Sequence, residues 1–439
     1  MLVLSIILLL VGIYAYKINR GMDLLTLFCF LWSVVFGLAS LKLYGMREYS
    51  NGTVLLFATG TLSVVIFAFL GRYGKYKSCS IKQGLFSKLS RENLTVNKKM
   101  LCVFLVPITF FVIYSVMRML TLYSSGVPLG TIHAMYLGRG GENFFTLNIL
   151  SQIHSKMIIP LLYCMIPIVV YYTLTDFKNN WIVVGISTLD IFLYMVATGS
   201  RVVAIFIFVD ILLVLPFANI VLTRKTFRKI KRIGFFFIAV VLILLIAYTI
   251  SRKEFVNNSE SSIFHQLFGE IYKYFSLCVP LSDYWISEVD SNKLVTYGKM
   301  SIYGLISLIE WFFVRFFKTD MFSWLDICRN LASDLEVMQP IFADAKCNAF
   351  VTYIFYFYVD FGIIGVIIFS SILGFACGKI SRKMKKKHNE STLLFYLLFA
   401  QTISMSFSRW SFFDAPYVLA FLYMRLLFIG SRSKVLTKK

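Results

Sequence analysis

The chain has 439 residues, 58% of them hydrophobic and 15% charged, with a formal net charge of +22, and its mean hydropathy is +0.76. A soluble protein carries about 25% charged residues, so this composition excludes one. Apolar runs approaching the ~20 residues that cross a bilayer recur from end to end. The surplus of positive charge does not call for a nucleic-acid partner, because it is segregated into a few short stretches.

Taken in chain order, the expected spans are eleven: 2–16, 24–43, 53–71, 100–122, 157–173, 181–197, 202–222, 233–250, 349–374, 392–407 and 416–430. The first lacks a basic leader and a small-residue cleavage site and is followed at once by another apolar run, so it reads as a retained span. The fold class is therefore all-α, a polytopic transmembrane helical bundle.

Charge sets the orientation. Residues 72–99 carry a net +7, 224–232 carry +6, 379–390 carry +5 and 431–439 carry +4. The 17–23 turn adds +1 and 174–180 is neutral, so loops on one side total +23 in a chain of +22. The positive-inside rule places those loops in the cytoplasm. The chain then lies in the plasma (inner) membrane as a multi-pass protein with its N-terminus outside and its C-terminus cytoplasmic.

On this topology residues 1–439 form one membrane domain, and 251–348 is one large external loop with nine basic and twelve acidic groups. Within the loop, 301–317 (SIYGLISLIEWFFVRFF) is apolar enough to resemble a span. Crossing alone, it would turn the 379–387 basic cluster outward, so it is expected to be a re-entrant or interfacial helix. The eight cysteines are scattered without a C-x-x-C pair or metal-ligand spacing, and most fall in spans. Cys328 and Cys347 share the external loop, where a disulfide between them is possible.

Ionisable groups near the bilayer are costly and mark function. Thr198-Gly199-Ser200-Arg201 is a tight external turn that brings Arg201 to the membrane edge; the plain alternative is a snorkelling arginine. Arg252 and Lys253 open the large loop, as ligands or as helix-end anchors. Arg409 lies in the last external turn with Asp414 nearby, where an ion pair is the structural alternative. Three arginines from separate turns suit a diphosphate, because a guanidinium stays charged and grips phosphate oxygens in pairs. His265 and Glu270 are the general-base types in the large loop. His133 and Arg139, in a Gly-rich external stretch, are candidates for binding sugar or phosphate, and His154 also lies outside. His388 falls in the inner basic loop. Asp360 sits mid-span, where a buried hydrogen-bonded role fits, with Tyr353, Tyr356 and Tyr358 as hydroxyl partners. Tyr272, Tyr274, Tyr284 and Trp285 offer stacking faces for sugars.

Four segments carry a resemblance: ATGSRVVAIFIFV at 197–209, ISRKEF at 250–255, NAFVTYIFYFYVDFGIIGVIIFSSILG at 348–374 and SFSRWSFFD at 406–414. In order and sidedness the chain resembles the O-antigen and capsular polysaccharide polymerases, the Wzy-type oligosaccharide repeat unit polymerases. The resemblance implies a GT-C-like membrane glycosyltransferase without metal or other cofactor. Its substrates would be undecaprenyl-diphosphate-linked oligosaccharides, the growing chain as donor and the next repeat unit as acceptor. It implies catalytic roles for Arg201, Arg252 and Arg409, with His265 or Glu270 as base, and substrate contacts for Lys253, Arg139, His133 and Asp414. Membrane lipid, a chain-length regulator and a flippase are the partners it suggests, and nucleic acid is not among them. The rival classes are an O-antigen ligase-like transferase, which shares this architecture, and a lipid-linked oligosaccharide flippase, expected to show two related halves that this sequence lacks.

Overall fold

The computed structural model describes residues 1–19, 21–73, 95–136, 144–199, 202–221, 263–348, 350–386 and 389–429, with the backbone alone at 216–221 and 263–267. The helices, in chain order, are α1 (Leu2–Asn19), α2 (Leu24–Ser40), α3 (Asn51–Tyr73), α4 (Lys98–Ser124), α5 (Leu129–Tyr136), α6 (Asn148–Thr175), α7 (Phe177–Thr198) and α8 (Val202–Val221). After these come α9 (Ile263–Ser276), α10 (Cys278–Ser291), α11 (Tyr303–Phe317) and α12 (Asp326–Asp334). A hairpin of β1 (Gln339–Phe342) and β2 (Ala345–Cys347) precedes α13 (Tyr353–Lys386), α14 (Glu390–Met405) and α15 (Ala415–Leu426).

The protein is mostly helical. Six of the described helices are long and apolar enough to cross a membrane: α1, α3, α4, α6, α7 and α13. Helices α2 and α15 are apolar but shorter. At 1.5 Å per residue, the 15 residues of α11 extend only about 22 Å, less than a ~30 Å hydrocarbon core. The expected span 233–250 lies outside the described residues.

The chain divides into two compact units. One comprises 1–83, 262–387 and 402–418. Its close packing is α13 against α3. Gly374 and Gly378 stand one helical turn apart on α13; a Cβ added there would lie 2.2 Å from the Val64 carbonyl oxygen and 2.1 Å from that of Ala68. Small residues at this spacing let two backbones approach where lipid supplies no hydrophobic drive. Beside this contact Trp32 fills the core with Phe28, Phe36, Phe57 and Tyr353, and its indole N–H donates to Ser406 Oγ at 3.0 Å. At the N-terminus of α2, Asp23 accepts from the Thr26 amide at 3.0 Å and its hydroxyl at 2.8 Å, and also pairs with Arg72.

Helix α13 breaks once. Phe361 leaves helical geometry, and Gly362 adopts φ +61°, a left-handed value that a side chain disfavours. The preceding Asp360 is fully buried. It accepts from the Met300 amide at 3.0 Å, the Ser301 amide at 2.9 Å and the Thr296 hydroxyl. The buried, hydrogen-bonded role expected for Asp360 is observed, but its partners come from the 296–301 loop and not from neighbouring tyrosines.

The described part of the large loop is more ordered than a hydrophilic cap requires. Helix α10 buries Val279, Leu281 and Trp285. The hairpin, which an all-α reading does not contain, is fastened to the 44–47 loop. Arg47 N–H donates to Ile341 O at 2.8 Å, and Ala343 N–H to Tyr44 O at 3.3 Å. Cys328 and Cys347 are both free, and burial pushes each thiol up to about 11.

The second unit comprises 84–261, 388–401 and 419–439. In it Thr109 of α4 donates to Asp190 of α7 at 2.6 Å, and Tyr172 of α6 donates to Glu390 at 2.7 Å. Helix α6 widens to π geometry over His154–Ile158.

Candidate functional site

The turn that carries Arg409 is built by helix ends. The Arg409 amide donates to Met405 O at 2.9 Å, ending α14, and the Tyr417 amide donates to Asp414 O at 3.1 Å, opening α15. Between them a single 3₁₀ turn, Ser411–Phe413, spaces Arg409 from Asp414. Gly304 of α11 packs against this turn so closely that a Cβ would lie 2.6 Å from Phe412 O and 2.9 Å from Asp414 O. The Trp410 indole N–H donates to Ser301 O at 2.7 Å, and the Ser301 amide in turn donates to Asp360. The break in α13, the 296–304 segment and the Arg409 turn are thus linked in series.

Arg409 bridges two acids. Its Nη2 donates to Glu336 Oε1 at 3.0 Å, and its Nη1 lies 3.4 and 3.5 Å from the two carboxylate oxygens of Asp414. Tyr356 is hydrogen-bonded to the same guanidinium. The side chains of Arg409, Glu336 and Asp414 are 35–37% exposed. About a third of each stays open. Glu336 is fixed by its own backbone: its amide donates to Ser333 O at 3.1 Å and its carbonyl accepts from Asn348 Nδ2 at 2.6 Å. Below the charges, Tyr303 stacks on Phe413 at 5.0 Å and Tyr356 meets Phe413 at 4.9 Å.

Electrostatics follow from the count. Two carboxylates meet one guanidinium. Burial pushes the Asp414 carboxyl above the usual carboxylate range, and Arg409 opposes that rise. Asp414, then Tyr356 and Glu336, hold the Arg409 guanidinium charged. Such a group accepts and donates hydrogen bonds at one opening, which suits a polyhydroxyl ligand.

No protein-family model, curated protein or solved structure matches the chain.

Arg139, Arg201, Arg252 and Lys253 lie outside the described residues. His265 falls on the backbone of α9, its side chain outside the description, and Glu270 is half-buried on the same helix. His133 on α5 donates from Nδ1 to the carbonyl oxygen of Thr198, where α7 ends with Gly199 in left-handed geometry at φ +64°. The expected 198–201 turn lies in part outside the described residues, and His133 sits against its first residue. His154, expected in an external loop, is buried in the π segment. It is hydrogen-bonded to Tyr136 and Tyr194 and stacked on Phe111.

Sequence reasoning missed Glu336, one acid among twelve in its loop with no local signal to single it out. It also passed over Asp190 and Asp210, each 2% exposed or less. Those had a signal: a lone acid within an apolar run is expensive in a membrane and asks for a partner. Asp190 finds Thr109, and Asp210 faces Gln401.

Proposed function

We propose that this chain is an eleven-span plasma-membrane glycosyltransferase that joins undecaprenyl-diphosphate-linked oligosaccharide repeat units into O-antigen or capsular polysaccharide at the outer face of the membrane. The observation that carries the reading is the Arg409 site. A guanidinium and two carboxylates, each a third open, meet above an aromatic column in the turn expected to be the last external one. Glycosyl transfer from a lipid diphosphate needs a proton acceptor near the incoming hydroxyl and cationic donors near the leaving diphosphate. Fixed charges of this kind lower the barrier without reorganising during the reaction. In this reading Arg201 and Arg252 supply the phosphate grip, while Arg409, neutralised by its acids, orders the sugar side.

The neighbouring α11 also fits a substrate with a lipid tail. Leu305, Ile309, Phe312, Phe313, Phe316 and Phe317 are exposed on it, an apolar face suited to the membrane boundary.

Lipid-linked repeat units isolated from a deletion strain, added to the purified protein in proteoliposomes, should be extended into a ladder with release of undecaprenyl diphosphate. Deletion should leave the surface capped by single repeats. Loss of all surface repeats would point to a flippase, which the buried acids Asp190 and Asp210 favour as a second reading because intramembrane carboxyls often line transport paths. Accumulation of long lipid-linked polymer would point to a ligase.

A further inference from the structure

We propose that helix α11 docks the lipid carrier of the acceptor substrate. Arg315 and Lys318 hold its diphosphate, the apolar stripe of α11 lies along its polyprenyl tail, and its glycan runs past Trp311 to the Arg409 turn. This rests on the glycosyl-transfer reading. Each of the two lipid-linked substrates brings a diphosphate, and only the donor's leaves. The acceptor's stays attached, so it needs cations set apart from the reacting atoms.

Exposure along α11 follows the helical period. Leu305, Ile309, Phe312, Phe313, Phe316 and Phe317 are open, at spacings of three and four that put them on one side. The other side is tied down. Glu310 is 7% exposed and accepts from Arg329 and from the Phe322 amide, both at 2.7 Å, while Gly304 is pressed against the Arg409 turn. Arg315 is exposed beside the stripe, and Lys318, exposed as well, follows the helix end. Neither pairs with an acid among the described residues, although Asp320 comes two residues later. Nearby Arg329, by contrast, is held by Glu310 and Asp326. An open apolar face edged by unmatched cations fits an amphiphile with an acidic headgroup. The guanidinium grips phosphate oxygens in pairs, and the ammonium adds a point charge.

The register of α11 favours the substrate over a bulk phospholipid. Arg315 follows Gly304 by eleven residues, close to three full turns, so the two share one line of the helix about 16 Å apart. Leu308 and Trp311 fall between them on that line, and Trp311 is half-buried, its ring a face for a sugar. A diphosphate at Arg315 thus stands an oligosaccharide's length from the Arg409 turn. An acceptor that reacts through its terminal sugar requires such a separation; a phospholipid has no use for it.

The experiment photolyses undecaprenyl diphosphate bearing a tail diazirine with the purified protein in phosphatidylethanolamine proteoliposomes. Adducts should map to residues 305–317. The double variant Arg315→Ala, Lys318→Ala should lose most of the labelling; unlabelled undecaprenyl diphosphate should compete, and phosphatidylglycerol should not. In extension of isolated lipid-linked repeats, the same variant should raise KM on the order of 10–100-fold, the weight of contacts to charged groups, with kcat nearly unchanged. Trp311→Leu should raise KM for the repeats yet keep the crosslink, because the probe has no glycan. Lys346→Ala, exposed on β2, is the control and should match wild type. Adducts elsewhere, labelling that survives the double variant, or equal competition by phosphatidylglycerol overturns the docking site. Wild-type KM in Trp311→Leu overturns the glycan path. A wild-type protein that labels on α11 but extends nothing overturns the glycosyl-transfer reading and leaves a lipid-diphosphate site standing.

Discussion

Gly374 and Val64 touch through backbone: a Cβ on Gly374 would stand 2.2 Å from the Val64 carbonyl oxygen. A flexible side chain could swing away from such a contact, but a carbonyl fixed in helix α3 cannot. Gly374→Ala should therefore force α3 and α13 apart, at a cost of about 1–3 kcal/mol for overpacking of this kind, and Gly374→Val more. Gly185 of α7 has open space where its Cβ would be. Gly185→Ala should be neutral or stabilise by up to about 1 kcal/mol. Thermal melting of the two variants in the same detergent checks the contrast, and equal melting temperatures would contradict it.

A second expectation concerns Asp23 and Arg72, which pair with each side chain only 5% exposed. Removing one partner strands the other charge away from water, a change that typically costs about 3–5 kcal/mol. Arg72→Met and Asp23→Asn should each lower the melting temperature severely. The double variant should recover part of the loss, because neither charge is then left alone. Additive losses in the double variant would mean that the two residues act separately. Asp23 should retain a residual cost, since it also caps α2 through Thr26.

The sequence made the helices legible because apolar length is a direct physical requirement of the bilayer, and ten of the eleven expected spans fall on described helices. Asp360, Phe361 and Gly362 in the ninth expected span do more than lengthen an apolar helix. Asp360 binds the 296–301 loop, Phe361 leaves the helix, and Gly362 takes the left-handed conformation that completes the break. Arg409 with Asp414 was legible from a spacing of five. Glu336 was not, because its partner is 73 residues away and nothing local distinguishes it. The hairpin escaped for a related reason: strands of four and three residues carry too few positions for an alternating pattern, and the 44–47 loop that holds them is far off in sequence.

The cysteines offer a third test. Cys328 and Cys347 are free thiols that burial pushes up to about 11. At pH 8 only on the order of one molecule in a thousand carries the reactive thiolate. Both residues should resist maleimide in native membranes and react fully after denaturation without any reductant. Labelling that requires prior reduction would reveal a disulfide instead.

The last expectation turns on Asp414. Burial raises its carboxyl above the usual range, and Arg409 works against that rise. A raised acid holds its proton more tightly in the folded protein than in the unfolded chain. Its stabilising contribution is therefore complete below the unfolded value, about 4, and is lost as pH climbs through the higher folded value. Melting temperature followed upward from pH 4 should carry this downward component in the wild-type protein. Asp414→Asn removes the titration and should flatten that component. Arg409→Ala removes the opposing charge and should extend the decline to higher pH, because Asp414 then keeps its proton longer. The two substitutions thus shift the same limb in different ways, which a general loss of stability does not reproduce. Wild-type and Asp414→Asn curves running parallel across the window would mean that burial does not govern the proton affinity of Asp414.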